Sequence, residues 1–425
     1  MKLLHTSDWH LGQSLNQFER SYEHAQFLAW LLDTLESEQI DVLLIAGDVF
    51  DNANPSAAAQ GQLYQFLTQA RQRVPHLGIV MTAGNHDSPA RMEVPAPFLA
   101  MLDAHAVGHT GRAGDGVDLA KLVIPLKDAT GAIQAWCIAM PFLRPSDLPR
   151  IEAEDPYLAG IADLYAQAYA WADAQRSPGQ AIIALGHCHI TGGQVSSESE
   201  RRIVIGGSES LHVSIFNPDI AYVALGHLHL AQKVGGDPTR RYCGSPLPLS
   251  FSEIDYPHQV LVVALASGTV SEVRELRIPR SVALLRIPRQ PGPLAEVLQA
   301  LQTMDVGQLV GRPDLKDCPQ DQWPYLQVRV QLDQPEPALR ASVEAALENK
   351  PVRLVRIETR AAQASGPNDG TTLPPELGID ALRKLDPATY FGRLYQHRYG
   401  EAPPDAIAAA FKELLNASTD AGARA

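Results

Sequence analysis

Short apolar runs, β-branched or leucine-rich and each broken at Gly, Asp, Asn or His, recur through the first half of this chain: KLLHTSDWH, DVLLIAGDVFD, GIVMTAGNHD, AIIALGHCH and YVALGHLH. Runs of that length with those breakers predict β-strands. After the first of them the periodicity changes. From Tyr22 to Leu35 the apolar residues fall at Tyr22, Ala25, Leu28, Ala29 and Leu32, a spacing near 3.6 that predicts a helix laying one face on a sheet. Strand-like and helical patterns alternate to about residue 279, where QVLVVALASG and VSEVRELRIP form a closing strand pair. The expectation is an α/β domain over residues 1–279, with its polar strand ends gathered at one edge of a sheet.

A smaller unit is expected over 280–360. There SVALLRIPR, PLAEVLQALQTM, YLQVRVQL, PALRASVEAALEN and VRLVRIETR read as β-α-β-α-β, an α+β accessory domain. Residues 361–375, which include AAQASGPNDGTT, are small and polar and predict a linker. A helical tail fills 376–425. In it Asp386 and Pro387 suit an N-cap and first position, Phe391, Leu394, Tyr395 and Tyr399 share a face, and Gly400 ends the helix. A second helix is expected after Pro403 and Pro404, with Ile407, Phe411, Leu414 and Leu415 on one side. Two short amphipathic helices need covering by a partner or by the body of the protein. The stretch MEVPAPFLAML, residues 92–102, fits either core or a surface between two copies.

At 425 residues and 45% hydrophobic composition the chain is long enough for two or three folded domains. The four cysteines, Cys137, Cys188, Cys243 and Cys318, form no CxxC pair, which argues against a disulfide framework or a zinc knuckle and favours a reducing, cytoplasmic setting. The start is too short in apolar residues for a signal segment, and no apolar run approaches 18 residues, so no membrane role is expected. Net charge is −13, from 35 Lys and Arg against 48 Asp and Glu. That balance opposes nonspecific grip on a polyanion, unless metals, a partner, or local patches such as Arg201-Arg202 and Arg240-Arg241 offset it. By default, such arginine pairs are solvated faces.

The strand ends carry Asp8, His10, Asp48, Asn85, His86, His187, His227 and His229. Phosphodiester hydrolysis requires a nucleophile active at neutral pH and a counter-charge for the transition state, and two divalent ions about 4 Å apart supply both. Asp48 in GDVFD suits a bridging carboxylate. Asp8 and His10 can reach one ion from a single turn, while Asn85 and further imidazoles can complete the other. A ligand set of Asp, Asn and His without thiolate favours manganese or iron over structural zinc.

In this order DWH, GDVFD, GNHD, GH and GHLH resemble the calcineurin-like metallophosphoesterases. HTSDWHLG, GDVFDNANPS, GNHDSPARME and RYCGSPLPLSFSE further resemble the SbcD family of bacterial nuclease subunits, and the likeness spans nearly the whole chain. It implies a metallophosphoesterase β-sandwich flanked by helices, a capping domain, and tail helices that dock on an SbcC-like coiled-coil ATPase. It also implies two divalent ions, with Mn²⁺ the first choice. Asp8, His10, Asp48 and His229 would hold one, and Asp48, Asn85, His187 and His227 the other. His86 is then the imidazole that contacts the scissile phosphate and assists the leaving oxygen, with Asp87 beside it able to orient the ring. Asp51 would support the loop. His189 departs from the family pattern, although the strand-end position favours His187 as the ligand. The remaining histidines, His5, His24, His76, His105, His109, His212, His258 and His397, read as core or surface residues. The implied activity is a DNA exonuclease and endonuclease, cytoplasmic, dimeric within a heterotetramer, and acting in repair and recombination. No G-x-x-x-x-G-K-[ST] loop occurs in the chain, so any ATP dependence would reside on the partner. Two other readings keep the fold: a phosphodiesterase or phosphatase for small substrates, and a scaffold without activity.

Overall fold

A computed structural model of the protein describes residues 1–114, 116–149, 151–194, 196, 210–361 and 387–412. Its chain divides into two compact units. One comprises Met1–Leu284 with Cys318–Trp323, and the other Leu285–Asp317 with Pro324–Ala425.

The first unit is built on two six-stranded sheets. In the first sheet, β1 (Lys2–Thr6), β2 (Val42–Ala46), β3 (Gly78–Thr82) and β4 (Ala104–Val107) run parallel in that order. The second sheet contains β5 (Val123–Lys127), β6 (Ile133–Ala139), β7 (Ala181–His187), β8 (Tyr222–Gly226), β9 (Gln232–Val234) and β10 (Asp237–Tyr242). Its order is β9-β10-β8-β7-β6-β5, and β6, β7, β8 and β10 are parallel. The expected closing pair is β11 (Gln259–Ala266) and β12 (Thr269–Arg277), which extends the first sheet antiparallel beyond β1.

The apolar runs are continuous because both faces of the first sheet are covered. Leu3, Val42, Leu44 and Val80 join the core shared with Ile138, Ile183, Leu185 and Leu225 of the second sheet. The alternate residues Leu4, Leu43, Ile45 and Met81 pack on the other side against Phe27, Leu31 and Leu35 of α1 (Ser21–Ser37) and Leu63 and Phe66 of α2 (Ala57–Arg73). The predicted helix is α1, but its buried stripe runs through Phe27, Leu28, Leu31, Leu32 and Leu35, while Ala25 and Ala29 of the expected face are exposed. Residues 92–102 fall largely in two short helices, α3 (Pro89–Glu93) and α4 (Ala96–Ala100), in which Met92 and Leu99 are buried. The outer face of the second sheet is covered by α5 (Pro156–Gln175) through Ile161, Leu164, Tyr165 and Ala168.

The second unit follows the β-α-β-α-β reading. Strands β13 (Leu284–Pro293), β14 (Tyr325–Leu332) and β15 (Arg353–Ala361) form a three-stranded sheet, with β14 and β15 parallel. Helices α6 (Leu294–Thr303) and α7 (Leu339–Ala346) bury Val297, Leu301, Val343 and Ala346 against Leu326, Val328 and Val330. Of the expected linker only Ala361, the last residue of β15, lies among the described residues. In the tail, α8 (Pro387–Tyr399) ends at Gly400 with φ +81°, and Asp386, Leu414 and Leu415 lie outside the described residues. A second helix spans 405–412, and Phe391 stacks on Phe411 with ring centroids 4.1 Å apart.

Candidate metal centre

Parallel strands of both sheets release their chains at a common edge. Thr6 of β1 pairs with Ile45 of β2, and His187 of β7 with Gly226 of β8, so the loops after them emerge side by side. Those loops have unusual backbones. Asp8, His10, Asp48 and His227 have φ of +54°, +47°, +48° and +96°, a region non-glycine residues seldom occupy outside functional sites. The conformation is held from both sides, as Asp8 N–H donates to Gly47 O and His10 N–H to Asp48 O, each at 3.0 Å. The glycines before the polar residues allow close approach. A Cβ on Gly47 would lie 2.2 Å from His187 Nδ1, and one on Gly84 would lie 2.1 Å from Asp48 Oδ1.

The strand-end residues converge. Asp8, His10 and His229 bring ligand atoms together, as do Asp8, Asp48 and His187, and His10 with Asp51 and His86. Asn85 Oδ1 lies 3.0 Å from both His187 Nε2 and His227 Nδ1, which joins Asn85 and His227 to the set. His187 donates its Nδ1 proton to Ala46 O at 2.9 Å, so in the neutral ring Nε2 is an acceptor. That nitrogen faces Asp48 Oδ2 at 3.3 Å as well as Asn85 Oδ1. Three acceptors converging in a buried place require a proton or a cation between them. His10 Nε2 makes the same demand, being buried, without a hydrogen-bond partner among the described residues, and 3.6 Å from Asp48 Oδ2. The donor set therefore fits divalent ions.

The charges agree. Burial opposes ionisation of Asp48, but the charge and hydrogen bond of His187, with His10 and His86, hold its carboxyl well below the usual carboxylate range. For His187 burial is outweighed by Asp48, and its pKa rises to about 9. His227 goes the other way, to about 3, because it is buried and repelled by His187. Burial raises Asp8. A bound cation would take the place of the proton His187 carries.

A further layer holds these groups. His229 Nδ1 is 2.8 Å from Oε1 of Glu253, whose other oxygen accepts from Leu249 N at 2.7 Å. Glu253 is fully buried, and the ligand spacings give it no role. Its only signal in the chain is its place in the motif RYCGSPLPLSFSE. Ser7 Oγ donates to Asp8 Oδ2, and Asp51 Oδ1 faces His10 Nδ1 at 3.3 Å. Asp87 corrects an expectation. Its carboxylate does not orient the His86 ring but accepts from Val49 N at 3.1 Å, Phe50 N at 2.9 Å and Gly84 N at 2.9 Å, tying the loops after β2 and β3. Burial and the Asp48 charge push its carboxyl up to about 6. The His86 ring is held instead by the backbone oxygen of Asp51, 2.8 Å from Nδ1.

Two other expectations resolve. Among the described residues His189 belongs to none of the groups that bring metal-ligand atoms together, whereas His187 does. Arg240 and Arg241 are no solvated patch. They are 8% and 4% exposed, and Arg241 pairs with Glu275 at 2.6 Å. Arg201 and Arg202 lie outside the described residues.

Comparison with known proteins gives consistent results. Residues 1–231 match the family described as calcineurin-like phosphoesterase, and residues 280–399 match the type 5 capsule protein repressor C-terminal domain. The chain is 42% identical to the SbcD subunit of the SbcCD nuclease of Rhodobacter capsulatus over 88% of its own length and 93% of the relative's. It is 34% identical to the Escherichia coli protein of the same name, covering 85% and 86%. The Bacillus subtilis protein is 31% identical, covering 67% and 72%.

Proposed function

Since this chain belongs to the calcineurin-like phosphoesterases and, within them, to the SbcD family of nuclease subunits, we propose that it is the nuclease subunit of a DNA end-processing complex. It is a metal-dependent phosphodiester hydrolase. The observation that carries the reading is the convergence of Asp48 Oδ2, Asn85 Oδ1 and His187 Nε2, with the unpartnered His10 Nε2 beside them, at the shared edge of the two sheets.

In this reading Asp8, His10, Asp48 and His229 hold one ion, and Asp48, Asn85, His187 and His227 the other, both Mn²⁺. When bound, the ions neutralise the phosphate oxygens and make a nucleophile of water near neutral pH. Asp48 would help to hold both ions. The position of its Oδ2, 3.3 Å from His187 Nε2 and 3.6 Å from His10 Nε2, supports that role. Asn85 contributes an oxygen without adding negative charge beside the phosphate. Asp51 O accepts the Nδ1 proton of His86, and this selects the tautomer that presents Nε2 to the substrate. Protonated on Nε2 as well, the imidazolium gives that proton to the departing alkoxide oxygen and is left neutral. Asp87 positions this group through the backbone of both loops rather than by touching the ring.

The protein works with an SbcC-like coiled-coil ATPase on DNA, as a homodimer within a heterotetramer, in the cytoplasm. The exposed Leu394 of α8, 53% accessible, supports docking of the tail on that partner. Val94, Phe98 and Met101 are 77%, 73% and 82% exposed at spacings of four and three, an apolar surface fit for a second copy. Four unpaired cysteines accord with a reducing compartment.

The test is cleavage of an end-labelled duplex with Mn²⁺, with and without the partner ATPase and ATP. Asp48→Asn should lose metal and cleavage together. His86→Ala should keep its metal, read by elemental analysis, while hydrolysis falls about 10²-fold. Hydrolysis of a small chromogenic phosphodiester with no cleavage of any DNA would move the reading to a small-substrate enzyme.

A further inference from the structure

The segment that leaves β6 borders the centre without contributing a ligand. Ala139 of β6 lies opposite Leu185 of β7, two residues before His187. Phe142 N donates to Ala83 O at 2.8 Å, which holds this segment against the loop that carries Asn85. The Phe142 ring meets the His187 ring edge-on with centroids 6.4 Å apart. Arg144 lies over the Phe142 ring, its guanidinium carbon 5.3 Å from the centroid. Those two contacts bound the guanidinium to within about 12 Å of the His187 ring.

Arg144 Nη1 is buried and, among the described residues, has no hydrogen-bond partner. The nearest acid in sequence, Asp147, accepts instead from the backbone N–H of Arg144 at 2.9 Å. A guanidinium is charged at every physiological pH, and a desolvated donor left unmatched opposes folding. A buried donor left unmatched calls for an explanation, and an anionic ligand that completes it is one. The residues that follow Arg144, Pro145 to Pro149, line an open cleft of about 840 Å³ together with Thr110, Arg112 and Gln167.

Resting on the nuclease reading above, we propose that Arg144 is a substrate-positioning residue that binds a backbone phosphate of the DNA strand beside the one being cut. Phosphate matches the forked donors of a guanidinium in shape and charge. With a strand rise of ~3.4 Å per nucleotide, the contact falls within about three or four nucleotides of the centre. It would give an acidic protein local purchase on a polyanion, and would fix the register of the strand over the metals.

The experiment measures binding of the full chain to a fluorescent duplex by anisotropy, without divalent metal, across a salt series. Arg144→Gln should weaken affinity about tenfold and flatten the dependence of log K on log salt by about one contact's worth. Arg144→Lys, which keeps the charge but not the fork, should retain the slope and lose part of the affinity. Thermal melting of Arg144→Gln should be at or above wild type, because an unmatched buried donor has gone. With Mn²⁺, the loss on DNA should exceed the loss on a small phosphodiester by about tenfold. Equal affinity and slope in wild type and Arg144→Gln would overturn the proposal while leaving the nuclease reading intact. Equal losses on DNA and on the small ester would also overturn it, and would make the residue a support of the centre. Wild-type protein that neither binds nor cuts DNA would end both.

Discussion

Glu253 follows His229 by 24 residues in the chain, yet its carboxylate sits 2.8 Å from the imidazole and selects which nitrogen faces the centre. A buried carboxylate on a ligand's far nitrogen raises that ligand's basicity and locks its ring. Glu253→Gln should therefore reduce metal affinity about 10- to 100-fold while the fold survives, measured by calorimetric titration with Mn²⁺. Unchanged affinity would reduce Glu253 to a packing residue. At this scale the candidate ligands were legible because each stands at a set offset from a strand end, a local feature. The roles of Asp87 and Glu253 were not. Asp87 is adjacent to His86 in sequence, but a side chain turned toward the opposite loop serves backbone donors 37 and 38 residues away.

Elements were legible where periodicity was strong, as in α1 and the five principal strands. The stretch 92–102 was ambiguous because an apolar run has the same composition in a core or on an interface. The structure separates its residues: Met92 and Leu99 face inward, while Val94, Phe98 and Met101 face out. Placing two glutamates there, Phe98→Glu with Met101→Glu, should convert a dimer to monomers in sedimentation equilibrium at micromolar protein, with the melting temperature little changed. A wild-type chain that is already monomeric would remove the homodimer from the reading. The tail helices carry a similar lesson. Phe391 and Phe411 cover each other by stacking, while Leu394 still faces solvent.

Across the whole molecule, burial determines how stability responds to acid. His5 and His24 are fully buried, and desolvation lowers both to about 3 from an ordinary value of 6.5. Above pH 6.5 both rings are neutral folded or unfolded, so the stability they permit is complete. As pH falls toward 3 the unfolded chain takes up protons that the folded core refuses, and each pH unit in that window removes up to about 1.4 kcal/mol per ring. His24→Gln should flatten the fall of melting temperature between pH 6.5 and 5, and identical slopes would show that this ring does not govern it. Local pattern along the chain was enough for the strands, the first helix, the order of metal-ligand residues and the α+β character of the second unit, because periodicity and turn residues act over short stretches. Folding in three dimensions was needed to bring the strand ends of two sheets to one edge and to set Glu253, Asp51 and Asp87 against the loops there. It also buried Arg240 and Arg241 and left Arg144 Nη1 without a partner among the described residues. Those outcomes depend on contacts between distant segments, where packing and desolvation, rather than local pattern, set which groups meet.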